Sequence, residues 1–290
     1  MPTDDCGKSS QEAQHSHVAT PRLASLKLTA ADGGPLHLDI RTGARPGEVR
    51  PAVVICHGFK GFKDWGFFPR LAERLAVAGY TAASFNFSGS GVLEGDQFSE
   101  LERWKHQRPS TDLRDIGIVM DHLASGGAKW FGLIGHSRGG GLAVLQAAQD
   151  ERVRSLITWA AVDHFLRWPA EDIARWRREG TIDVVNQRTG QVLPLGRDAL
   201  DDNDANHERL DVVAAAERVR VPWLIVHGTE DRAVDVSIGR RLHQASAGAE
   251  LLEVAGADHT FGVKHPWQGS TAACDLVLER TVAALAKAQR

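Results

Sequence analysis

Three short stretches of this 290-residue chain leave a reactive side chain just past an apolar run. "LIGHSRGGGLAV" (133–144) holds Ser137 in a glycine-rich loop, "WLIVHGTEDRAV" (223–234) carries Asp231, and "VAGADHTFG" (254–262) carries His259. A serine hydroxyl attacks a carbonyl when a base takes its proton, and a histidine serves best when a carboxylate holds its other ring nitrogen. Ser137, Asp231 and His259 supply nucleophile, orienting acid and base in that chain order. Asp163, Glu230 and Asp235 are competing carboxylates, and His243 and His265 are competing bases among the 13 histidines.

The glycines around Ser137 admit two readings. "GHSRG" satisfies GxSxG at Gly135, Ser137 and Gly139, between the apolar strand "WFGLI" and the apolar helix "GGLAVLQAA". A sharp strand-to-helix turn there strains the serine by on the order of 1–3 kcal/mol, and side chains two positions either side would collide. Gly140 and Gly141 would let the helix pack close to the sheet. The rival reading, a phosphate cradle, fails on detail. A Walker loop needs a lysine followed by Ser or Thr, which is absent here. In "FNFSGSGVLEG" the sixth position from Gly89 is Glu94, where a dinucleotide fingerprint needs a small residue.

An acyl-transfer site also needs donors for the developing oxyanion, each worth ~3 kcal/mol of barrier. The elbow offers the backbone amide of Arg138, and the loop "HGFKG" after the first central strand offers that of Phe59. The plainer reading of that loop is that Gly58 and Gly61 form a turn. If Arg138 acts through its amide, Arg138→Ala should keep much of the activity that Ser137→Ala abolishes.

Positioning these groups takes a layered α/β fold. "AVVIC" (52–56), "TAASFNF" (81–87), "WFGLIG" (130–135), "VRSLITWA" (153–160), "WLIV" (223–226) and "ELLEV" (250–254) read as strands, several continuously apolar as strands covered on both faces must be. "ASLKLTA" and "LHLDIRT" alternate around "ADGGP" and predict an edge hairpin with one buried face. Phe68, Leu71, Ala72, Leu75 and Ala76 fall at helical spacing and stop at Gly79. Leu113, Ile116, Met120 and Leu123 predict a second helix with Ser110 as N-cap. Strands alternating with helices imply a mostly parallel central sheet flanked by helices.

Residues 1–20 read as a mobile tail, 21–160 and 220–290 as the core, and 161–219 as an inserted cap. The cap is expected to be helical after Pro169, with a hairpin turning at "QRTG". Its Phe165, Trp168 and Trp176 either line a substrate pocket or anchor the cap to the core. "DDNDANHE" spaces Asp202, Asp204 and Asn206 like a calcium loop, but His207 replaces the loop glycine and Val213 the closing glutamate. No metal or cofactor is expected.

The bulk composition sets outer limits. A net charge of −3 with no like-charge block speaks against nucleic acid, and no apolar stretch approaches a membrane span. With no leader pattern and three scattered cysteines, Cys6, Cys56 and Cys274, the chain reads as cytoplasmic without disulfides or a Cys-rich zinc site. "NFS" at Asn86 is a glycosylation sequon only in a secreted chain.

Together, "CHGFKGFKDWGFFPRLAERLAVAGY", "FNFSGSG", "GHSRGG", "HGTEDRAV" and "GADHTF" resemble the α/β-hydrolase superfamily, nearest to bacterial serine esterases of the dienelactone-hydrolase-like and cinnamoyl-esterase-like kind. These motifs span about 51 to 262. The resemblance implies Ser137 as nucleophile, Asp231 and His259 as its partners, and Phe59 and Arg138 as oxyanion donors. True dienelactone hydrolases carry a cysteine nucleophile, whereas this chain carries Ser137. The expected activity is cleavage of a small-molecule carboxylic ester through an acyl-enzyme. Peptidase, thioesterase or lactonase activity would share the triad, although the chain has no room for the propeller many such peptidases add. A non-catalytic binding module, which would usually have lost a triad residue, is the remote alternative. A homodimer is left open.

Overall fold

The computed structural model describes residues 20–289, so the expected tail lies outside the described residues but for Thr20. Its elements, in chain order, are β1 (Arg22–Thr29), β2 (Pro35–Thr42), β3 (Ala52–Cys56), α1 (Phe68–Val77), β4 (Thr81–Phe85), α2 (Leu101–Lys105), α3 (Pro109–Ser125), β5 (Phe131–His136), α4 (Arg138–Gln149), β6 (Val153–Trp159), α5 (Ala170–Glu179), β7 (Thr181–Val185), β8 (Val192–Gly196), α6 (Asp198–Ala205), α7 (Val212–Ala216), β9 (Trp223–Gly228), α8 (Val236–Ala245), β10 (Ala249–Val254) and α9 (Ala272–Ala288). Eight strands form one sheet in the order β1-β2-β4-β3-β5-β6-β9-β10. It is parallel from β4 to β10, and β2 pairs antiparallel with both β1 and β4.

The continuous apolar runs follow from two buried faces. Ala52, Val54 and Cys56 of β3 pack into a core under α3, α4, α7 and α8, while Val53 and Ile55 pack into a second core under α1 and α9. Strand side chains alternate between faces, so a strand with helices on both sides must be apolar at every position. The edge hairpin departs from the one-face expectation. β1 is largely exposed, but β2 is covered on both sides at its centre. Leu36 and Leu38 join the core, and on the other face buried Asp39 accepts from Lys63 Nζ and Ser25 Oγ, each at 2.7 Å.

α1 ends as the sequence predicts, with Gly79 in the left-handed region at φ 98° just past its C-cap Ala78. α3 begins differently. Its N-cap is Arg108 and Pro109 takes the first turn, where a missing N–H costs nothing. Ser110 faces α6 instead: its N–H donates to Asp202 Oδ2 at 2.8 Å and its hydroxyl to Asp202 Oδ1. The residues resembling a calcium loop are thus partly helical and already engaged, Asp202 with Ser110 and Asp204 with Arg177.

Between β6 and β9, β7 and β8 pair as an antiparallel hairpin and enclose a small core of Trp176, Ile182, Leu195, Ala199 and Leu200. From Leu210 onward the chain rejoins the main core through Leu210, Val212, Ala215, Ala216 and Val219. Among the described residues no helix is long and apolar enough to cross a membrane.

Candidate active site

Ser137 stands between β5 and α4 at φ 56°, ψ −120°, outside the regions L-residues ordinarily occupy. The turn closes only because its neighbours lack side chains. A Cβ on Gly135 would lie 2.2 Å from the Gly139 carbonyl oxygen, and one on Gly139 would lie 2.4 Å from the carbonyl oxygens of Cys56 and His57. A Cβ on Gly140 would meet that of Ala161 at 2.6 Å, so this glycine lets α4 approach the segment after β6.

Asp231 follows β9 and His259 follows β10, neighbouring strands whose loops are tied by Thr229 N–H to Val254 O and Glu230 N–H to Ala257 O, both at 3.0 Å. His259 Nδ1 meets Asp231 Oδ2 at 2.7 Å. The other carboxylate oxygen, Oδ1, accepts the backbone N–H groups of Ala233 and Val234 at 2.8 and 2.9 Å. Burial pushes the Asp231 carboxyl up, but hydrogen bonding from His227 and His259, with the Val234 amide, outweighs it and holds the acid well below the usual carboxylate range. An ionised Asp231 fixes a proton on Nδ1 and leaves Nε2 free to accept one.

The competing groups are engaged elsewhere or exposed to solvent. Asp163 binds His164 at 2.6 Å and Arg241 at 2.9 Å, Asp235 caps α8 through Ser237 N–H, and Glu230 is exposed. His243 lies exposed on α8, and His265 Nδ1 accepts from Gly66 N–H at 3.1 Å.

Ser137, His259, Phe59, Arg138, Phe165 and Trp168 line one cleft of about 450 Å³, with Val162 and Val184. Neither the Phe59 nor the Arg138 backbone N–H has an acceptor among the described residues. Trp176 does not reach the cleft. It is fully buried, its ring 5.2 Å from that of Trp168, in the small core of Ile182, Leu195, Ala199 and Leu200. Among the described residues no group of three or more His, Cys, Asp or Glu side chains is placed to hold a metal ion. Asn86 is buried, accepting from Lys63 N–H at 2.7 Å and donating to Val92 O at 3.0 Å.

The roles of three groups around the site are invisible in the motifs. His57 Nε2 accepts the Phe87 N–H at 3.2 Å, which puts its proton on Nδ1, directed at Gly58 O at 2.9 Å. His136 Nε2 donates to the carbonyl of His259 at 2.9 Å, and the two rings lie 4.7 Å apart. Arg138 donates to Asp112 at 2.5 Å and to Gln107 at 3.0 Å, and its guanidinium lies 5.9 Å from the Phe59 ring centroid. One side chain therefore braces both candidate amide donors.

Beside the activity expected to survive Arg138→Ala, that brace sets a cost in stability. Arg138 is the cation paired with buried Asp112, and stripping one partner from a buried pair leaves an uncompensated charge. Arg138→Ala should lose about 3 kcal/mol of unfolding free energy in urea titrations, and Arg138→Ala/Asp112→Asn should regain much of it. A loss below about 1 kcal/mol would remove Arg138 from this role.

The buried titratable groups also set how stability depends on pH. Burial pushes His57 down to about 4 and His136 down to about 3. Below about pH 6.5 the unfolded chain therefore binds two protons that the fold refuses, which lowers stability as pH falls. Burial, with the charge of Asp112, pushes Asp115 up to about 7, so between about pH 4 and 7 the fold keeps a proton that the unfolded chain releases. For these three groups the net is about one proton, or on the order of 1 kcal/mol lost per pH unit from about 6 to 4.5. Guanidinium midpoints should fall over that range; equal midpoints would contradict this balance.

The family model for the α/β hydrolase fold matches residues 51–199, just over half of the chain. The chain belongs to the α/β-hydrolase family. It is 23% identical over 245 residues to the uncharacterized 31.7 kDa protein of the traX-finO intergenic region of Escherichia coli, covering 72% of this chain and 83% of that one. It is also 23% identical over 207 residues to 2,6-dihydropseudooxynicotine hydrolase of Paenarthrobacter nicotinovorans, covering 69% of this chain and 49% of that one. Among solved structures, Est1E from Butyrivibrio proteoclasticus is similar in fold at a TM-score of 0.67 and 18% identity, over 91% of this chain and 98% of Est1E.

Proposed function

We propose that the chain is a serine carboxylesterase. The observation that carries this reading is the 2.7 Å contact of His259 Nδ1 with a doubly amide-anchored Asp231, on a cleft that His259 shares with strained Ser137. In the first half-reaction Ser137 Oγ bonds to the ester carbonyl carbon as His259 Nε2 takes its proton. The amides of Phe59 and Arg138 bind the oxyanion. His259 returns the proton to the leaving alkoxide, which departs as the alcohol. Water then attacks the acyl-enzyme with the same base, releasing the acid and restoring Ser137. The inserted segment, up to where the chain rejoins the main core at Leu210, acts as the cap, Phe165 and Trp168 lending apolar surface to the acyl or alcohol group.

Est1E has been solved with ferulic acid bound, so a panel of esters should vary acyl length and include aryl-propenoyl esters. A fluorophosphonate probe should label the wild type and not Ser137→Ala, with short-chain p-nitrophenyl esters hydrolysed only by the former. Equal labelling of the two proteins would overturn the reading. Saturable ligand binding with no turnover across the panel would favour a receptor.

A further inference from the structure

The cleft is one-sided in charge. Its titratable lining is Lys60, Arg138, His164, Arg167 and His259, with no Asp or Glu. The buried carboxylates beside it are already paired: Asp231 with His259, Asp112 with Arg138, and Asp163 with His164 and Arg241. The Arg138 charge is thereby balanced, but those of Lys60 and Arg167 are not. Neither has a carboxylate partner among the described residues, and Lys60 Nζ reaches only the carbonyl of Val185 in β7, at 3.3 Å.

Lys60 is unusual in its backbone as well. It directly follows Phe59 and sits at φ 58°, where glycine or asparagine would be cheaper than lysine. The residue is half-buried, and the hydration it loses pushes its pKa down. A cation partly stripped of water, held beside a reaction centre on a strained loop, gains more from an anion than a fully solvated one does.

We propose that the natural ester carries a carboxylate on its acyl or alcohol part, bound by Lys60 and Arg167. This inference rests on the esterase reading and narrows its substrate to acidic esters, such as half-esters of dicarboxylic acids or acylated hydroxy-acids.

Two matched pairs test it. One compares p-nitrophenyl hemiadipate with the p-nitrophenyl ester of monomethyl adipate; the other compares 4-acetoxybenzoate with its methyl ester. In the wild type, kcat/KM for the charged member of at least one pair should exceed that of its neutral partner about ten-fold. Each of Lys60→Met and Arg167→Met should shrink that ratio about three- to five-fold, and added salt should shrink it too. Neutral esters turned over as fast as their charged partners would overturn the acidic-ester inference while leaving the esterase reading intact. So would a preference that persists in both variants.

A binding arm separates that failure from failure of the chemistry. Titrating the wild type with the mono-4-nitroanilide of adipic acid, by calorimetry, reads the carboxylate subsite without an ester bond. Binding that weakens in Lys60→Met and Arg167→Met supports the subsite even if no ester is cleaved. The absence of binding, or binding unchanged by both substitutions, overturns it.

Discussion

Ser137→Ala should lower kcat on a short-chain p-nitrophenyl ester by about 10⁶-fold, and Ser137→Gly should do the same while making the protein more stable. The second half of that expectation comes from the backbone. Ser137 is pinned on both sides: its N–H donates to Trp159 O at 2.9 Å, and its carbonyl accepts from Gly140 and Val162 at 2.9 and 3.2 Å. These bonds hold φ at 56° and ψ at −120°, a cost on the order of 1–3 kcal/mol for any residue with a Cβ. Alanine keeps the Cβ and so keeps the strain, whereas glycine relieves it. Glycine also loses more unfolded-chain entropy, by roughly 0.5–1 kcal/mol, which leaves a net gain of about 1 kcal/mol. Thermal unfolding of the three proteins, alongside their esterase rates, reads both effects. Ser137→Ala retaining more than about one per cent of activity would remove Ser137 as nucleophile. Ser137→Gly melting below Ser137→Ala would show that the turn carries no such strain.

What could be read beforehand was whatever local pattern dictates. Central strands had to be apolar throughout because helices cover both faces, and Gly135 had to be small because of contacts made within the elbow itself, whereas Gly139 is held small by the carbonyls of Cys56 and His57 at the end of β3. The chain order of Ser137, Asp231 and His259 survives in the sequence since each lies just beyond its own strand or two turns from it. What stayed hidden depends on partners remote in sequence. Nothing near Arg138 announces that Asp112 and Gln107 will receive its guanidinium, and nothing near Ser110 announces Asp202. The roles of His57 and His136 rest on which ring nitrogen faces which backbone group, a matter of tertiary geometry. Trp168 and Trp176 are alike in sequence terms, and only packing sends one to the cleft and the other into the small core.

Asp231→Asn should cut kcat/KM by about 10⁴-fold with little change in fold, and the reason lies in the two amides on Asp231 Oδ1. Ala233 and Val234 both donate to that oxygen, so an asparagine must keep its carbonyl there and turn its NH₂ toward His259. His259 Nδ1 would then have to accept, moving the ring proton to Nε2, the nitrogen that should take the Ser137 proton. The substitution thus preserves shape and inverts the tautomer. No neighbouring acid is free to substitute, since both oxygens of Asp163 are taken by His164 and Arg241. Asp163→Asn should accordingly leave at least a tenth of the wild-type rate, while fluorophosphonate labelling of Asp231→Asn should slow in step with its esterase activity. If Asp231→Asn kept a tenth of wild-type kcat/KM while Asp163→Asn lost it, the orienting acid would be the carboxylate after β6 and not the one after β9.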